Sequence, residues 1–187
     1  FINKKQLKGR KIIGTKWVFK IKNESDQSLR YKSRVVSKGY MQILGVDYTE
    51  KFSPVATASS LRTGLGIALY HDNTKDPWTC ELVDIEAAFL EGKLTAPTYI
   101  QIPRGMVELG FMKQKEYEDN CIELLGGMYG NVDAALLYFQ RFTKFAISKD
   151  GLQLTQSEAD PCVFFKRGPK REDNMILIVY VDVCMIC

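Results

Sequence analysis

Two aspartates stand where apolar stretches of the sequence end. Asp84 follows a strand-like stretch and precedes a short helical pattern, and Asp182 follows a long apolar run near the C-terminus. A carboxylate at the end of a buried strand is costly unless its charge is offset, and a metal ion can offset it. Two aspartates that each project from the end of a core strand could share a pair of divalent cations. Enzymes that transfer phosphoryl groups with two metal ions use such an arrangement.

Asp84 alone has a second interpretation, because aspartate is also a common helix N-cap. The sequence after residue 174 favours a metal site over a cap. It predicts a strand, a tight turn with Asp182 at its tip, and a second strand. We expect both strands of this hairpin to be buried on two faces, and the strand that ends at Asp84 to be buried as well. A carboxylate in such surroundings requires a functional explanation.

The composition bounds the class of protein. The 187 residues are 45% hydrophobic and 26% charged, which indicates one globular domain or a domain with two lobes. No apolar run approaches the roughly 18 residues that a membrane span requires, and we expect no signal peptide. The chain begins without methionine and stops inside an apolar stretch, so we expect a fragment of a longer protein.

The N-terminal part of the chain is strongly basic, although the formal net charge is only +4. Eleven Lys or Arg precede Lys38, against the two acids Glu24 and Asp26. Trp17, Phe19 and Tyr31 are interleaved with the basic residues. This mixture is typical of a surface that binds nucleic acid or nucleotide phosphates. A solvated basic hairpin would explain the same composition, and both interpretations remain open here.

The cysteines indicate the redox compartment. Five are scattered along the chain, at Cys80, Cys121, Cys162, Cys184 and Cys187. Their odd number, without a secretory signal, predicts free thiols in a reducing, intracellular compartment. Cys184-x-x-Cys187 is a single pair with only His71 as an imidazole in the chain, which argues against a zinc site.

The order of the elements predicts an α+β fold with an antiparallel sheet that carries helices on one face. Alternating residues predict a basic hairpin from strands at 11–22 and 29–38. Ser59 or Ser60 is expected to cap a helix in which Gly64 and Gly66 indicate close packing against a neighbour. Further strands are expected at 98–103, 121–125, 163–165 and in the terminal hairpin, a helix at 133–149, and irregular chain at 104–120.

Together these segments resemble the reverse transcriptase of copia-type LTR retrotransposons, an RNA-directed DNA polymerase. The segments that carry the resemblance are Lys16-Trp17-Val18-Phe19-Lys20, Tyr31 to Gln42, Gly45 to Val55, Val83-Asp84-Ile85-Glu86-Ala87-Ala88-Phe89-Leu90-Glu91-Gly92, Tyr129-Gly130, Asp160-Pro161-Cys162-Val163-Phe164 and Tyr180-Val181-Asp182. Their order and spacing follow the family from about residue 11 to the end.

The resemblance implies a right-hand polymerase cut short, with an antiparallel palm sheet and without its thumb. Residues 1–187 would form one reverse transcriptase domain fragment, with fingers at about 1–60 and 95–125 and palm at about 61–94 and 126–187. The implied partners are an RNA or DNA template with its primer, deoxynucleoside triphosphates, and the missing thumb and ribonuclease H regions of a parent polyprotein. No membrane partner is implied. The expected location is a cytoplasmic retrotransposon particle or the nucleus.

The resemblance also assigns a metal site. Asp84 and Asp182 would be the catalytic residues, and both would bind metal together with the carbonyl of Ile85. The cofactor would be two Mg²⁺ ions, with Mn²⁺ as a substitute. One ion would lower the pKa of the primer 3′-hydroxyl and the other would steady the leaving pyrophosphate. Magnesium suits such a site because it prefers a few carboxylates together with water and substrate phosphates.

A second set of residues would bind the incoming nucleotide. Phe89 would lie under the sugar, where its ring would exclude a 2′-hydroxyl. Lys32 and Arg34 lie two apart on a strand, hence on one face, and would grip the triphosphate. Tyr129 would lie at the floor of the pocket, near the nascent base pair.

Two departures from the family bear on activity. The family motif Tyr-x-Asp-Asp is Tyr180-Val181-Asp182-Val183 here, so an expected carboxylate is lost at Val183. We predict that polymerisation is severely impaired while folding is not, because valine packs well in an apolar hairpin. After Tyr129-Gly130 the family continues with Leu-Lys-Gln, whereas this chain has Asn131-Val132-Asp133. The alternative function is a degenerate remnant that binds nucleic acid without catalysis.

Overall fold

A computed structural model describes residues 1–25, 27–72, 79–170 and 173–187. The chain divides into two compact units, formed by residues 1–51 with 93–134 and by residues 52–92 with 135–187. We call them unit 1 and unit 2. The chain is a mixture of α-helices and β-sheets, as predicted. The assignment of fingers and palm to particular residue ranges stays a prediction.

The helices and strands follow one another in this order. They are β1 (Ile2–Asn3), β2 (Ile12–Ile13), β3 (Thr15–Asn23), β4 (Leu29–Ser37), α1 (Ala58–Asp72), β5 (Glu81–Asp84), β6 (Tyr99–Ile100), α2 (Gln114–Asp119), β7 (Asn120–Glu123), α3 (Ala134–Ile147), β8 (Thr155–Gln156), β9 (Val163–Lys166), β10 (Met175–Tyr180) and β11 (Val183–Ile186). Short 3₁₀ helices lie at Lys4–Leu7, Gly39–Met41 and Ala88–Glu91. The helix α2 falls within the stretch for which we expected irregular chain.

In unit 1, β3 and β4 form the predicted antiparallel hairpin, in a register that pairs Thr15 with Ser37 and Asn23 with Leu29. Successive side chains of a strand point to opposite faces. This register therefore places the basic side chains on one face of the hairpin and the aromatic side chains on the other. One face, which we call the basic face, carries Lys16, Lys20, Lys22, Arg30, Lys32 and Arg34. The other, which we call the aromatic face, carries Trp17, Phe19, Ile21, Leu29 and Tyr31. Residues that alternate in sequence are thus separated in space.

Unit 1 also contains a small sheet in the strand order β1-β7-β6-β2. Its strands are only two to four residues long, and β2 and β6 are parallel while the other pairs are antiparallel. Ile13, Ile100, Ile102 and Cys121 are buried in this unit. The Trp17 indole N–H donates to the carbonyl of Arg104 at 2.9 Å, which ties the hairpin to the chain between β6 and β7 of the small sheet.

In unit 2, five antiparallel strands form a sheet in the order β5-β11-β10-β9-β8. Leu177 and Val179 of β10 pack with Ala146 of α3 on one face. Ile178 points to the other face, where it meets Met185 and helix α1. The prediction that the helices pack on one face is therefore wrong. Because β10 is apolar at consecutive positions, both faces of the sheet need cover, as in sheets buried on two sides.

Helix α1 approaches the sheet closely at Gly64. A Cβ at this position would lie 2.7 Å from Cε of Met185 and 2.8 Å from Cδ1 of Ile178. Such distances leave no room for a side chain, so the prediction of close packing is confirmed for Gly64. It is wrong for Gly66, because a Cβ there would meet nothing within 4 Å.

The start of α1 is fixed by groups far away in sequence. The Thr57 hydroxyl accepts the Ser60 N–H at 3.1 Å, so Thr57 occupies the cap position that we expected of Ser59 or Ser60. The buried carboxylate of Asp160 accepts from the Thr57 N–H, the Ser60 hydroxyl and the Cys162 N–H at 2.6–2.9 Å. Burial opposes the charge of Asp160, but these hydrogen bonds outweigh burial and lower the pKa of its carboxyl group.

Strand β5 differs from its expected environment. Its four residues are exposed, and the side chain of Leu82 is 76% exposed. The prediction of a buried strand is wrong here, because β5 is an edge strand with a single neighbour, β11. For β10 and β11 the prediction is confirmed, since Leu177, Ile178, Val179, Cys184 and Met185 are all buried.

The cysteines divide into two groups. Cys80 and Cys187 are joined in a disulfide that extends the β5–β11 pairing by one residue pair, so the prediction of free thiols is wrong for these two. Cys121, Cys162 and Cys184 are free and buried. In the part of the chain that the structure describes, no helix is long and apolar enough to cross a membrane.

Candidate active site

The tight turn between β10 and β11 carries the first predicted site residue. Tyr180 pairs with Val183, which leaves Val181 and Asp182 as the loop. Asp182 therefore lies at the tip of a hairpin, as predicted. Val181 has φ of 58°, in the left-handed region that β-branched residues rarely adopt. Backbone strain of this kind is often found at functional sites, and here it lies at the residue before Asp182.

The pairing of β5 with β11 brings the second aspartate beside the turn. Asp84 lies directly opposite Val183, and the N–H of Ile85 donates to the Asp182 carbonyl at 2.8 Å. Asp84 and Asp182 are thus offset by one position across neighbouring strands. Asp84 is exposed and Asp182 is half-buried. The structure therefore places the backbones of Asp84, Ile85 and Asp182 together at one end of the sheet, and that they bind metal stays a prediction.

The residues at this sheet end form an incomplete donor set for metal ions. Val183 occupies the cross-strand position that faces Asp84, so an isopropyl group stands where the resemblance expects a carboxylate. Across the described residues, no group of three or more His, Cys, Asp or Glu is placed to hold a metal ion. Two carboxylates and a backbone carbonyl still fit a magnesium ion that takes its other ligands from water and phosphates.

A cavity of about 170 Å³ in unit 2 reaches the turn. It is lined by Ser53, Pro54, Val55, Phe89, Ala135, Tyr138, Phe139 and Val181. Phe89 is presented by the 3₁₀ helix Ala88–Glu91, which begins after Ala87 at a positive φ of 56°. The residue predicted to lie under the nucleotide sugar therefore shares a cavity with the loop that carries Asp182.

Sequence reasoning did not single out Tyr138, which also lines this cavity. Its side chain is buried, and its hydroxyl has no hydrogen-bond partner in the described part of the chain. Burial raises the pKa of Tyr138, and the neighbouring Cys184 and Asp182 raise it further. The available signal was a hydroxyl within the apolar stripe of α3, although the sequence does not show that it reaches a cavity.

The other predicted nucleotide-binding residues lie in unit 1. Lys32 and Arg34 point to the basic face of the β3–β4 hairpin, which confirms that they share a face. The central guanidinium carbon of Arg34 lies 5.4 Å from the centre of the Tyr129 ring, a cation–π distance. The structure therefore brings Arg34 and Tyr129 together. That these residues and Phe89 bind a nucleotide stays a prediction.

The basic face carries like charges directly opposite each other. Lys20 pairs with Lys32 and Lys22 pairs with Arg30 across the hairpin. Such pairs are destabilising, by roughly 0.2–1 kcal/mol each. Arg30 has Glu24 at 3.7 Å, but both side chains are largely exposed and the pair contributes little.

The sequence was compared with known proteins. The family described as reverse transcriptase (RNA-dependent DNA polymerase) matches residues 3–187. The chain is 36% identical over 181 residues to the retrovirus-related Pol polyprotein from transposon TNT 1-94 of Nicotiana tabacum, which covers 96% of this chain and 12% of that protein. It is 32% identical over 177 residues to the corresponding polyprotein from transposon RE1 of Arabidopsis thaliana, which covers 94% of this chain and 11% of that protein.

A further Arabidopsis thaliana polyprotein, from transposon RE2, is 33% identical over 177 residues and covers 94% of this chain and 11% of that protein. The chain therefore spans little more than a tenth of the length of these relatives. No solved structure gives a significant match. The predicted resemblance to a copia-type reverse transcriptase fragment is confirmed. The chain belongs to the reverse transcriptase (RNA-dependent DNA polymerase) family.

Proposed function

We propose that this chain is the nucleotidyl-transfer region of a retrotransposon reverse transcriptase, and that its own activity is impaired at one position. The observation that carries the proposal is the pairing of β5 with β11, which sets Asp84 beside Asp182 at one end of the sheet. In this reaction a primer 3′-hydroxyl attacks the α-phosphate of a deoxynucleoside triphosphate, and pyrophosphate leaves. The template is RNA or DNA.

Asp84, Asp182 and the Ile85 carbonyl would hold the divalent cations of this reaction, Mg²⁺ or in its place Mn²⁺. Bound metal would lower the pKa of the primer hydroxyl and neutralise charge on the pyrophosphate. The protein contributes the carboxylates and fixes their spacing through the strand register. Asp84 stands on an exposed edge strand, which leaves its carboxylate accessible to a substrate.

Phe89 would select deoxyribonucleotides. Its ring lines the cavity next to Val181, so a sugar bound beside the turn would lie against it. An aromatic ring leaves no space and no hydrogen-bond partner for a 2′-hydroxyl, and a hydroxyl deprived of its partners is disfavoured. The proposed substrate is therefore a deoxynucleotide.

The basic face of the hairpin would bind phosphates of the template strand and of the incoming nucleotide. Lys32 and Arg34 point to this face, and an arginine fork suits phosphate oxygens in particular. The repulsion between Lys20 and Lys32 would be relieved by a bound polyanion. This would make binding sensitive to salt, because phosphate contacts release counterions.

Val183 would be the cause of impaired catalysis. It faces Asp84 across the strand pair, where a carboxylate would add a negative charge within reach of the same ion. Valine suits a half-buried strand position, so the substitution need not disturb the fold. This observation also favours the second candidate function, a remnant that binds nucleic acid without catalysis.

A primer-extension assay on an RNA template, with Mg²⁺ or Mn²⁺, separates the two functions. The protein tested should include the thumb region that follows in a parent polyprotein. Val183→Asp is expected to raise the extension rate by about 100-fold, whereas the uncharged Val183→Asn should not. If Val183→Asp leaves extension undetectable while template binding stays intact and salt-sensitive, the chain is a binding remnant. Extension at an ordinary rate without the substitution would refute the role given to Val183.

A further inference from the structure

The segment that follows β7 and precedes α3 is docked tightly on the end of β4. The Ser37 N–H donates to the Tyr129 carbonyl at 2.8 Å. A Cβ on Gly39 would overlap the Gly130 carbonyl oxygen, and a Cβ on Gly130, whose φ is 91°, would overlap the Ser37 carbonyl oxygen. The backbones at Gly39 and Gly130 therefore approach as closely as two chains can, and this contact fixes the position of Tyr129 along β4.

Two buried side chains complete this contact. The Ser37 hydroxyl donates to Oδ1 of Asn131 at 2.5 Å. The N–H of Val132 donates to Oε1 of Gln42 at 2.7 Å. Ser37, Gln42 and Asn131 are each at least nine-tenths buried. The two hydrogen bonds thus clamp Asn131 and Val132, which follow Tyr129 and Gly130, onto the chain around residues 37–42.

The same cluster is incompletely hydrogen-bonded. Nδ2 of Asn131 has no hydrogen-bond partner within the described ranges. Burial raises the pKa of Asp133, and hydrogen bonds from its own backbone and from Gln42 only partly oppose this rise. Replacing both partners of a buried hydrogen bond by apolar groups of the same shape can be nearly neutral. The polar cluster therefore needs an explanation other than stability.

The position of the Tyr129 ring supplies that explanation, because the Arg34 guanidinium lies over it at 5.4 Å. We propose that Gln42 is a positioning residue that holds Tyr129 beneath Arg34, and thereby presents the guanidinium to the phosphates of an incoming deoxynucleoside triphosphate. The effect on nucleotides rests on the proposed function. The effect on the geometry of Arg34 and Tyr129 does not.

The geometry is tested by NMR on the full chain with ¹³C-labelled arginine. The Tyr129 ring shifts the resonances of the Arg34 side chain, which are assigned by their loss in Arg34→Lys. The variant Tyr129→Leu gives the position of the Arg34 resonances in the absence of the ring. In Gln42→Leu the Arg34 signals are expected to move most of the way toward that position. In the exposed control Gln6→Leu they should stay at the wild-type position.

The consequence for binding is tested by calorimetric titration with dTTP and MgCl₂. Gln42→Leu is expected to weaken dTTP binding about tenfold, while Gln6→Leu stays within about twofold of wild type. If the wild-type chain does not bind dTTP, the proposed nucleotide site fails, and the Arg34 resonances still decide the positioning role. Wild-type Arg34 shifts in a folded Gln42→Leu would overturn that role.

A milder variant covers the case in which Gln42→Leu does not fold. Ser37→Ala removes only the hydroxyl, which bonds Asn131 and, at 3.5 Å, the Tyr129 carbonyl, and leaves the backbone hydrogen bond to Tyr129 intact. The Arg34 resonances should then move in the same direction as in Tyr129→Leu, by a smaller amount. Their staying at the wild-type position in Ser37→Ala, with the far-UV spectrum unchanged, would contradict the clamp.

Discussion

The β3–β4 hairpin of unit 1 and the β10–β11 hairpin of unit 2 place their chemistry differently. In the first, six cations are spread along one exposed face and aromatic residues along the other. In the second, both faces are apolar and buried, and the only charged side chain is that of Asp182 at the turn. Binding spread over a face tolerates the loss of one residue. A site confined to one turn does not, and the proposed function therefore predicts that Val183, next to Asp182, impairs catalysis without altering packing.

Replacing a phenylalanine by alanine in each region should give the largest difference in the free energy of unfolding. Phe164 of β9 packs in the core beside β10 and is 0% exposed, whereas Phe19 of β3 is 75% exposed. Phe164→Ala should lower the free energy of unfolding by about 3–5 kcal/mol. Phe19→Ala should change it by no more than about 0.5 kcal/mol. Urea unfolding followed by circular dichroism measures both, and similar losses would contradict the contrast between the two regions.

The next effect concerns the buried carboxylate that links β9 to α1. Asp160→Asn should lower the free energy of unfolding by about 1–3 kcal/mol at pH 7, because it weakens hydrogen bonds to a charged group. The folded-state pKa of Asp160 is lowered, so its contribution is complete above the unfolded-state pKa and is lost as pH falls through the folded-state pKa.

Urea unfolding at several pH values checks the sign of this effect. The difference between wild type and Asp160→Asn should be constant near neutral pH and should shrink in acid below about pH 4. Asp150→Asn, at an exposed position, serves as the control. A difference that grows toward low pH would show that the pKa shift has the opposite direction.

A smaller effect is expected on the basic face. Lys20→Gln removes one cation opposite Lys32. It should weaken binding of single-stranded RNA and reduce the slope of log affinity against log salt by about 0.7. Relief of repulsion should also leave the hairpin slightly more stable, by roughly 0.2–1 kcal/mol. Fluorescence polarisation at several NaCl concentrations measures the slope, with Lys149→Gln on unit 2 as the control. An unchanged slope in Lys20→Gln would exclude Lys20 from the binding surface.

Local patterns in the sequence were sufficient for both hairpins. Alternation of basic and aromatic residues predicted β3 and β4, and a polar break in an apolar run placed Asp182 at a turn. The exposure of Leu82 could not be predicted in this way, because the apolar character of a strand does not reveal how many neighbours it has. The same limit explains why α1 and α3 were assigned to one face of the sheet.

Contacts between distant parts of the chain also could not be predicted from local sequence patterns. Asp160 joins Ser60 across 100 positions, and Gln42 joins Val132 across 90. Neither residue carries a local signal of its role, since each is polar and could equally be exposed. The partners become apparent only when the fold brings them together. The candidate metal ligands were easier to identify, because the resemblance to a family named them.

The central claim is that Asp84 and Asp182 share a divalent cation at the end of the unit 2 sheet. Binding of Mn²⁺ to the full chain, followed by electron paramagnetic resonance, tests it most directly. We predict saturable binding that Asp84→Asn and Asp182→Asn each weaken by about tenfold or more, that Val183→Asp tightens, and that the exposed control Glu108→Gln leaves unchanged. Unchanged Mn²⁺ affinity in Asp84→Asn or in Asp182→Asn would contradict the claim.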